Sequence, residues 1–109
     1  MPEKTYRIAL DEENEIFVYY ETTSGVVTAF VVKLLSVIDG KEVEILRYDS
    51  GHGIPHIDVL DVDGKTKHKI WLSHLDNAKA FTQAKKDIEQ NYIIYKERYL
   101  QWKEEKKIK

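Results

Sequence analysis

Two Asp-Gly dipeptides, Asp39-Gly40 and Asp63-Gly64, constrain the fold more than any other feature of the chain. Each is a two-residue hairpin signal, because tight hairpin turns need the positive φ that Gly and Asp tolerate. Each joins two strand-like runs: VVTAFVVKLLSVI (26–38) to KEVEILRYD (41–49), and HIDVLDV (56–62) to KTKHKIWL (65–72). Upstream, TYRIAL (5–10) and EIFVYY (15–20) flank the acidic turn DEEN, and Ser24-Gly25 separates the second from the third run. Six β-rich runs with short links predict an antiparallel meander over residues 4–72. The 13-residue run is longer than a typical strand, so it is expected to be bent or strongly twisted.

The final third has a different period. Phe81, Ala84, Ile88, Tyr92, Tyr95, Tyr99 and Trp102 recur every three or four residues, and no Pro or Gly interrupts 73–109. Ser73 and Asp76 fit a capping pattern, so a helix over 74–107 is expected. At roughly 45 Å it is longer than a small domain is wide, and it must kink, fray or overhang. The 109 residues suit one α+β domain, a meander with one long helix on one face. The absence of cysteine excludes disulfides, thiol catalysis and Cys-based zinc sites. A net charge of −2 excludes a global basic field for nucleic acid. The N-terminal run lacks a signal-peptide apolar region and no apolar run approaches ~20 residues, so a cytoplasmic protein without membrane contact is expected. Abundant Lys and Glu with scarce Asn, Gln, Met and Cys tilt towards a heat-adapted source.

The hairpins bring chemistry together. Counting from Asp39-Gly40 puts Val32 opposite Arg47 and Leu34 opposite Ile45. Counting back from Asp63-Gly64 puts Asp58 opposite Lys69 and His56 opposite Trp71. If the 50–55 loop closes symmetrically, Asp49 faces His56 and Arg47 faces Asp58. Paired residues share a face, so Arg47, Asp49, His56, Asp58, Lys69 and Trp71 are expected together, with His52 in the loop beside them. The same face is expected to carry Phe30, Leu34, Val43, Ile45 and Leu60. The helix is assigned to the opposite face, which holds Val31, Leu35, Val37, Leu46, Tyr48, Ile57, Val59 and Ile70. Glycines at 51 and 53 are expected to give the loop backbone angles closed to other residues.

Three readings of the cluster stand side by side. In metal-independent RNA cleavage, His52 and His56 act as base and acid, Arg47 and Lys69 stabilise the phosphate, and Asp49 or Asp58 orients a histidine. In metal binding, His52, His56 and Asp58 supply an H-x3-H-x-D spacing, but Arg47 and Lys69 oppose a cation, so no metal or other cofactor is assigned. In the third, Arg47–Asp58–Lys69 is a cross-strand salt-bridge row in a non-catalytic interaction module. A homodimer or a complex with a cognate partner is expected. The helix stripe runs to Trp102, and an open face bearing Phe30, Leu34, Ile45, Leu60 and Trp71 would leave apolar area in water.

R-Y-D-x-x-H-G-x-P-H-x-D, from Arg47 to Asp58, resembles the signature of a small prokaryotic family related to the TumE-like proteins. D-G-K-x-x-x-K-x-W-L (63–72) and D-I-x-x-N-Y-x-x-Y-x-E-R-Y (87–99) resemble the same family. The genes of TumE-like proteins tend to lie in toxin–antitoxin-like pairs. The resemblance implies a toxin-like role, a cognate antitoxin-like partner and an RNA target. One departure bears on mechanism: where the motif is expected to read P-H-x-H, this chain has Asp58. An aspartate cannot serve as a neutral imidazole base, which throws weight onto His52.

Overall fold

The computed structural model describes residues 2–108, the side chain of His52 excepted. Six strands, β1 (Glu3–Ala9), β2 (Asn14–Thr23), β3 (Val26–Ile38), β4 (Lys41–Asp49), β5 (His56–Leu60) and β6 (Thr66–Trp71), precede one helix, α1 (Asn77–Ile108). The strands form one antiparallel sheet in chain order, so the fold is α+β as expected. A single 3-10 turn, Gly51–Gly53, links β4 to β5. No helix among the described residues is long and apolar enough to cross a membrane.

The turns explain the pairing. Ser24-Gly25 and Asp39-Gly40 have positive φ at both positions (51° and 78°, 54° and 76°), the signature of two-residue hairpins. Asp63-Gly64 behaves differently. Gly64 alone has positive φ (84°), the Gly64 N–H donates to the Asp61 carbonyl, and the Asp61 N–H donates to that of Lys65. The loop is therefore three residues long, and β5 ends at Leu60 rather than 62. That loop puts Leu60 opposite Thr66, but an irregularity between Val59 and Leu60 restores the expected pairs, Asp58 with Lys69 and His56 with Trp71.

The β3–β4 pair departs from expectation. Ile38 faces Lys41, but a bulge leaves Ile45 unpaired, and beyond it Leu34 faces Leu46, Lys33 faces Arg47 and Val31 faces Asp49. A one-residue slip exchanges faces. Phe30, Val32 and Leu34 thus lie on the helix-covered side with Ile16, Val18, Leu46, Tyr48 and Val59, all buried. Val31, Leu35 and Val37, expected under the helix, stand on the other side. Phe30, Leu34, Ile45 and Leu60 are buried, so of the apolar set expected on the open face only Trp71 is exposed. Phe30, Leu34, Ile45 and Leu60 therefore do not supply the apolar area expected there, and Phe17, Tyr19, Val31 and Val37 stand on that face with Trp71 instead.

Helix α1 begins three residues later than 74, at Asn77. The Leu72 N–H is held by the Pro55 carbonyl, so the chain leaves the sheet only after Leu72 and turns through 73–75. Asp76 then caps the helix by accepting the Lys79 N–H at 2.8 Å. Ala80, Phe81, Ala84, Ile88 and Tyr99 are buried, and Tyr92, Tyr95 and Trp102 pack on the same core. The helix lies along β3: Asn77 Nδ2 donates to the Thr28 carbonyl near one end, and Lys103 Nζ pairs with Asp39 at the other. At ~1.5 Å per residue α1 is about 48 Å long, and at ~3.4 Å per residue β3 is about 44 Å. The long strand underlies most of the long helix in a molecule 51 Å in its longest dimension, and only the exposed last turn, beyond Lys103, extends past the Asp39 end of β3. Asp87 fastens the two layers, accepting from Tyr48 Oη (2.6 Å), Tyr95 Oη (2.7 Å) and Asn91 Nδ2 (2.8 Å).

Candidate functional site

On the face opposite the helix, Arg47 pairs with Asp58 and Asp49 with His56 across β4–β5. Lys69 and Trp71 follow on β6. The bulge at Ile45 adds Glu44, which by simple alternation would stand on the other face from Arg47. Lys33 and Val31 join from β3, and Phe17 and Tyr19 from β2. The structure therefore brings Arg47, Asp49, His56, Asp58 and Lys69 together as expected. The expectation for His52 falls on a side chain outside the described residues. The bulge hid Lys33 and Glu44 from the register count. Phe17 and Tyr19 lay on a strand the count did not reach.

Asp58 is the centre. It is 2% exposed, yet three cationic or potentially cationic groups converge on it. Arg47 Nη2 lies 3.1 Å and His56 Nε2 3.4 Å from its Oδ2, and Lys69 Nζ lies 3.7 Å from its Oδ1. Oδ1 has no hydrogen-bond partner among the described residues. Arg47 also donates to Glu44 (2.7 Å) and brings Nε to 3.5 Å from Asp49 Oδ2. Glu44 in turn pairs with Lys33 at 3.0 Å. Lys33, Arg47 and Lys69 thus face Glu44, Asp49 and Asp58, a charge-balanced network on the bare side of the sheet.

His56 is equally buried, at 2% exposed. Its Nδ1 lies 3.0 Å from the Ile54 carbonyl oxygen. A carbonyl only accepts, so Nδ1 carries the hydrogen and Nε2 is turned to Asp58. The Trp71 ring, 49% exposed, packs over the imidazole with centroids 5.2 Å apart, and Lys69 Nζ sits 5.2 Å from the indole. Asp49 is set by the loop: its Oδ1 accepts the Gly51 N–H at 2.5 Å. A Cβ at residue 51 would lie 2.9 Å from that oxygen, so glycine is needed there for close approach rather than for φ. Gly53, with φ +79°, is the loop glycine that uses its conformational freedom.

Beside the network, Phe17, Tyr19, Val31, Lys33, Arg47 and Asp49 line an open basin of about 370 Å³. Among the described residues, Asp49, His56 and Asp58 are the group able to hold a metal, each with a ligand atom within 4.8 Å of the others. No curated protein and no solved structure matches the chain. A family model, that of a domain of unknown function, matches residues 1–105, nearly the whole of the 109-residue sequence. The chain therefore belongs to the domain of unknown function family DUF7718.

Proposed function

We propose that the protein is a toxin–antitoxin-like protein that binds RNA, and cleaves it, on the open sheet face. The observation that carries this reading is position. The cluster of Arg47, Asp49, His56, Asp58 and Lys69 lies on the face α1 leaves bare, between the rings of Phe17 and Tyr19 on one side and Trp71 on the other. Phe17 and Trp71 stand four strands apart, about 19 Å at the usual strand spacing. A single strand laid across that distance could stack bases at both ends and set its phosphates against Lys33, Arg47 and Lys69. The resemblance of residues 47–58 to the TumE-like proteins points to the same substrate. A cognate antitoxin-like protein would act by covering this face.

In the metal-independent route, His56 takes up or delivers the proton at the scissile phosphodiester. Both of its nitrogens are turned to protein atoms in this arrangement, so Trp71 must move aside and the ring must release Asp58 before it can do so. A second reading rests on the charge balance: three acids matched to three bases are also what a stabilising network in a non-catalytic interaction module requires.

The test is binding and cleavage of end-labelled single-stranded RNA by the full chain at low salt, with and without EDTA. Binding that weakens in Trp71→Ala and Arg47→Gln and falls with salt is expected. Cleavage that survives EDTA and is lost in His52→Ala and His56→Ala would support the metal-independent route. An RNA that neither binds nor is cut at any salt, with the wild type harmless on overexpression, leaves the interaction module as the reading.

A further inference from the structure

We propose that the outer edge of β6 takes up an extended acidic peptide as a seventh strand of the sheet, with its carboxylates on the helix side against Arg98, Lys67 and His68. β6 ends the sheet, so alternate N–H and C=O groups along it point outward with no ladder partner among the described residues. Every residue of the strand is exposed. Such an edge is a template for an added strand: main-chain hydrogen bonds give the affinity, and alternate side chains give the selectivity.

Charge selects the occupant. Residues 64–75 hold three lysines and two histidines and no acid. Lys67 and Lys69 approach Asp61 and Asp58 only to 3.8 and 3.7 Å, which leaves both ammonium groups able to take a closer acceptor. On the flank of α1, the Arg98 Cζ lies 5.3 Å from the Tyr95 ring centroid and 5.2 Å from that of Trp102. Stacking holds the guanidinium in place without neutralising it, and its buried Nε has no hydrogen-bond partner among the described residues. Trp102 ties Arg98 to the edge: Lys67 Nζ lies 4.4 Å from the indole and the His68 ring 6.1 Å from it. Lys67, His68 and Arg98 thus gather round one indole on the helix side.

The same charges argue against other occupants. Two β6 strands from two copies, paired antiparallel about His68, would set Lys67 against Lys69, and like charges directly opposite destabilise a sheet. A nucleic acid matches the charge but lacks the N–H donors, at strand spacing, that the outward carbonyls need. A strand that alternates acidic and apolar residues meets both faces. Its carboxylates reach Arg98 on the helix side, and its apolar side chains cover the half-exposed Trp71 indole on the open face. The other edge of the sheet, β1, mixes Glu3 with Lys4 and Arg7 and carries no such bias.

This inference does not rest on the RNA reading, because a seventh strand forms without RNA. The probe is the peptide acetyl-Ser-Glu-Val-Glu-Val-Glu-Ser-amide, titrated into the tag-free, ¹⁵N-labelled full chain and followed by NMR. Shift changes confined to β6 and to the Arg98 and Trp102 side chains are expected, with alternate β6 amides exchanging with solvent at least tenfold more slowly. Gln in place of each Glu of the peptide should weaken binding at least tenfold. Arg98→Gln and Lys67→Gln should each weaken binding of the acidic peptide at least threefold, in proteins whose spectra otherwise keep the wild-type pattern. No change at β6 with millimolar peptide, equal binding of the Gln peptide, or binding unchanged in Arg98→Gln or Lys67→Gln would overturn it. So would a short oligouridylate that perturbs β6 more strongly than the peptide at equal concentration, which would make the edge a nucleic-acid surface. Slow exchange of β6 amides that grows with protein concentration before peptide is added would also overturn it, as an interface between copies.

Discussion

Replacing Asp58 by Asn keeps the shape of the side chain and removes the charge on which Arg47, His56 and Lys69 converge. Removing one partner of a buried ion pair costs about 3–5 kcal/mol, because the remaining charge is left desolvated. Two features lower that figure here. The Arg47 and Lys69 side chains are 28% and 36% exposed, so water takes up part of the loss, and Arg47 keeps Glu44 at 2.7 Å. The expected destabilisation is therefore about 2–3 kcal/mol. For a domain near this size, roughly 4 °C per kcal/mol gives a melting point lower by about 8–12 °C. The assay is urea unfolding at neutral pH followed by circular dichroism, in which the midpoint moves and the slope does not. Lys69→Gln is the internal control. Its pair is half in water, so the loss should stay within about 1 kcal/mol. Raising the salt from about 0.1 to about 1 M shortens the screening length from about 10 to about 3 Å. That should erase the Lys69 effect and leave the Asp58 effect nearly intact. An Asp58→Asn protein within about 0.5 kcal/mol of wild type would refute the claim that this carboxylate is a desolvated hub.

Gly51→Ala should leave stability within about 1 kcal/mol, because the atom its Cβ meets is the movable end of Asp49. Gly53→Ala, whose Cβ meets nothing within 4 Å, should instead lower stability through its φ of +79°, read from the urea midpoint. Alkaline unfolding offers a separate check on the helix–sheet interface. Burial, then the hydrogen bond to Asp87, pushes the Tyr48 and Tyr95 phenols well above the usual tyrosine value. A raised folded value means their contribution is complete below pH about 10 and is lost as pH climbs from there towards the folded values. Tyr48→Phe should flatten that alkaline loss, read from unfolding midpoints across the pH range, and an unchanged profile would remove Tyr48 from the account.

The sequence carried the strand count, the order of elements and the site pairs of β4–β6, and each for an identifiable reason. Asp39-Gly40 closes the tight turn its residues favour. At Asp63-Gly64 a three-residue loop and a bulge offset each other, so Asp58 still meets Lys69 although the assumed turn was wrong. What failed was β3, and the cause is a single residue. Ile45 bulges out of the ladder, and every β3 side chain above it changes face relative to a count made from the turn. Bulges leave no composition signal of their own. Yet one charge in the run bore on the question. Placing Phe30 and Leu34 on the open face sends Lys33 under the helix among Ile16, Val18 and Leu46, where an unpaired ammonium costs several kcal/mol. Placing Lys33 in the open lets it meet Glu44 at 3.0 Å and exposes no residue larger than Val31 at its neighbouring open-face position towards the loop. Weighed that way, Lys33 demands an extra residue between the Asp39-Gly40 turn and Arg47. The same step puts Glu44 beside Arg47 and balances the charges around Asp58. The bulge that misled the register count is what completes the network, which ties the geometry of the candidate site to one unpaired isoleucine in β4.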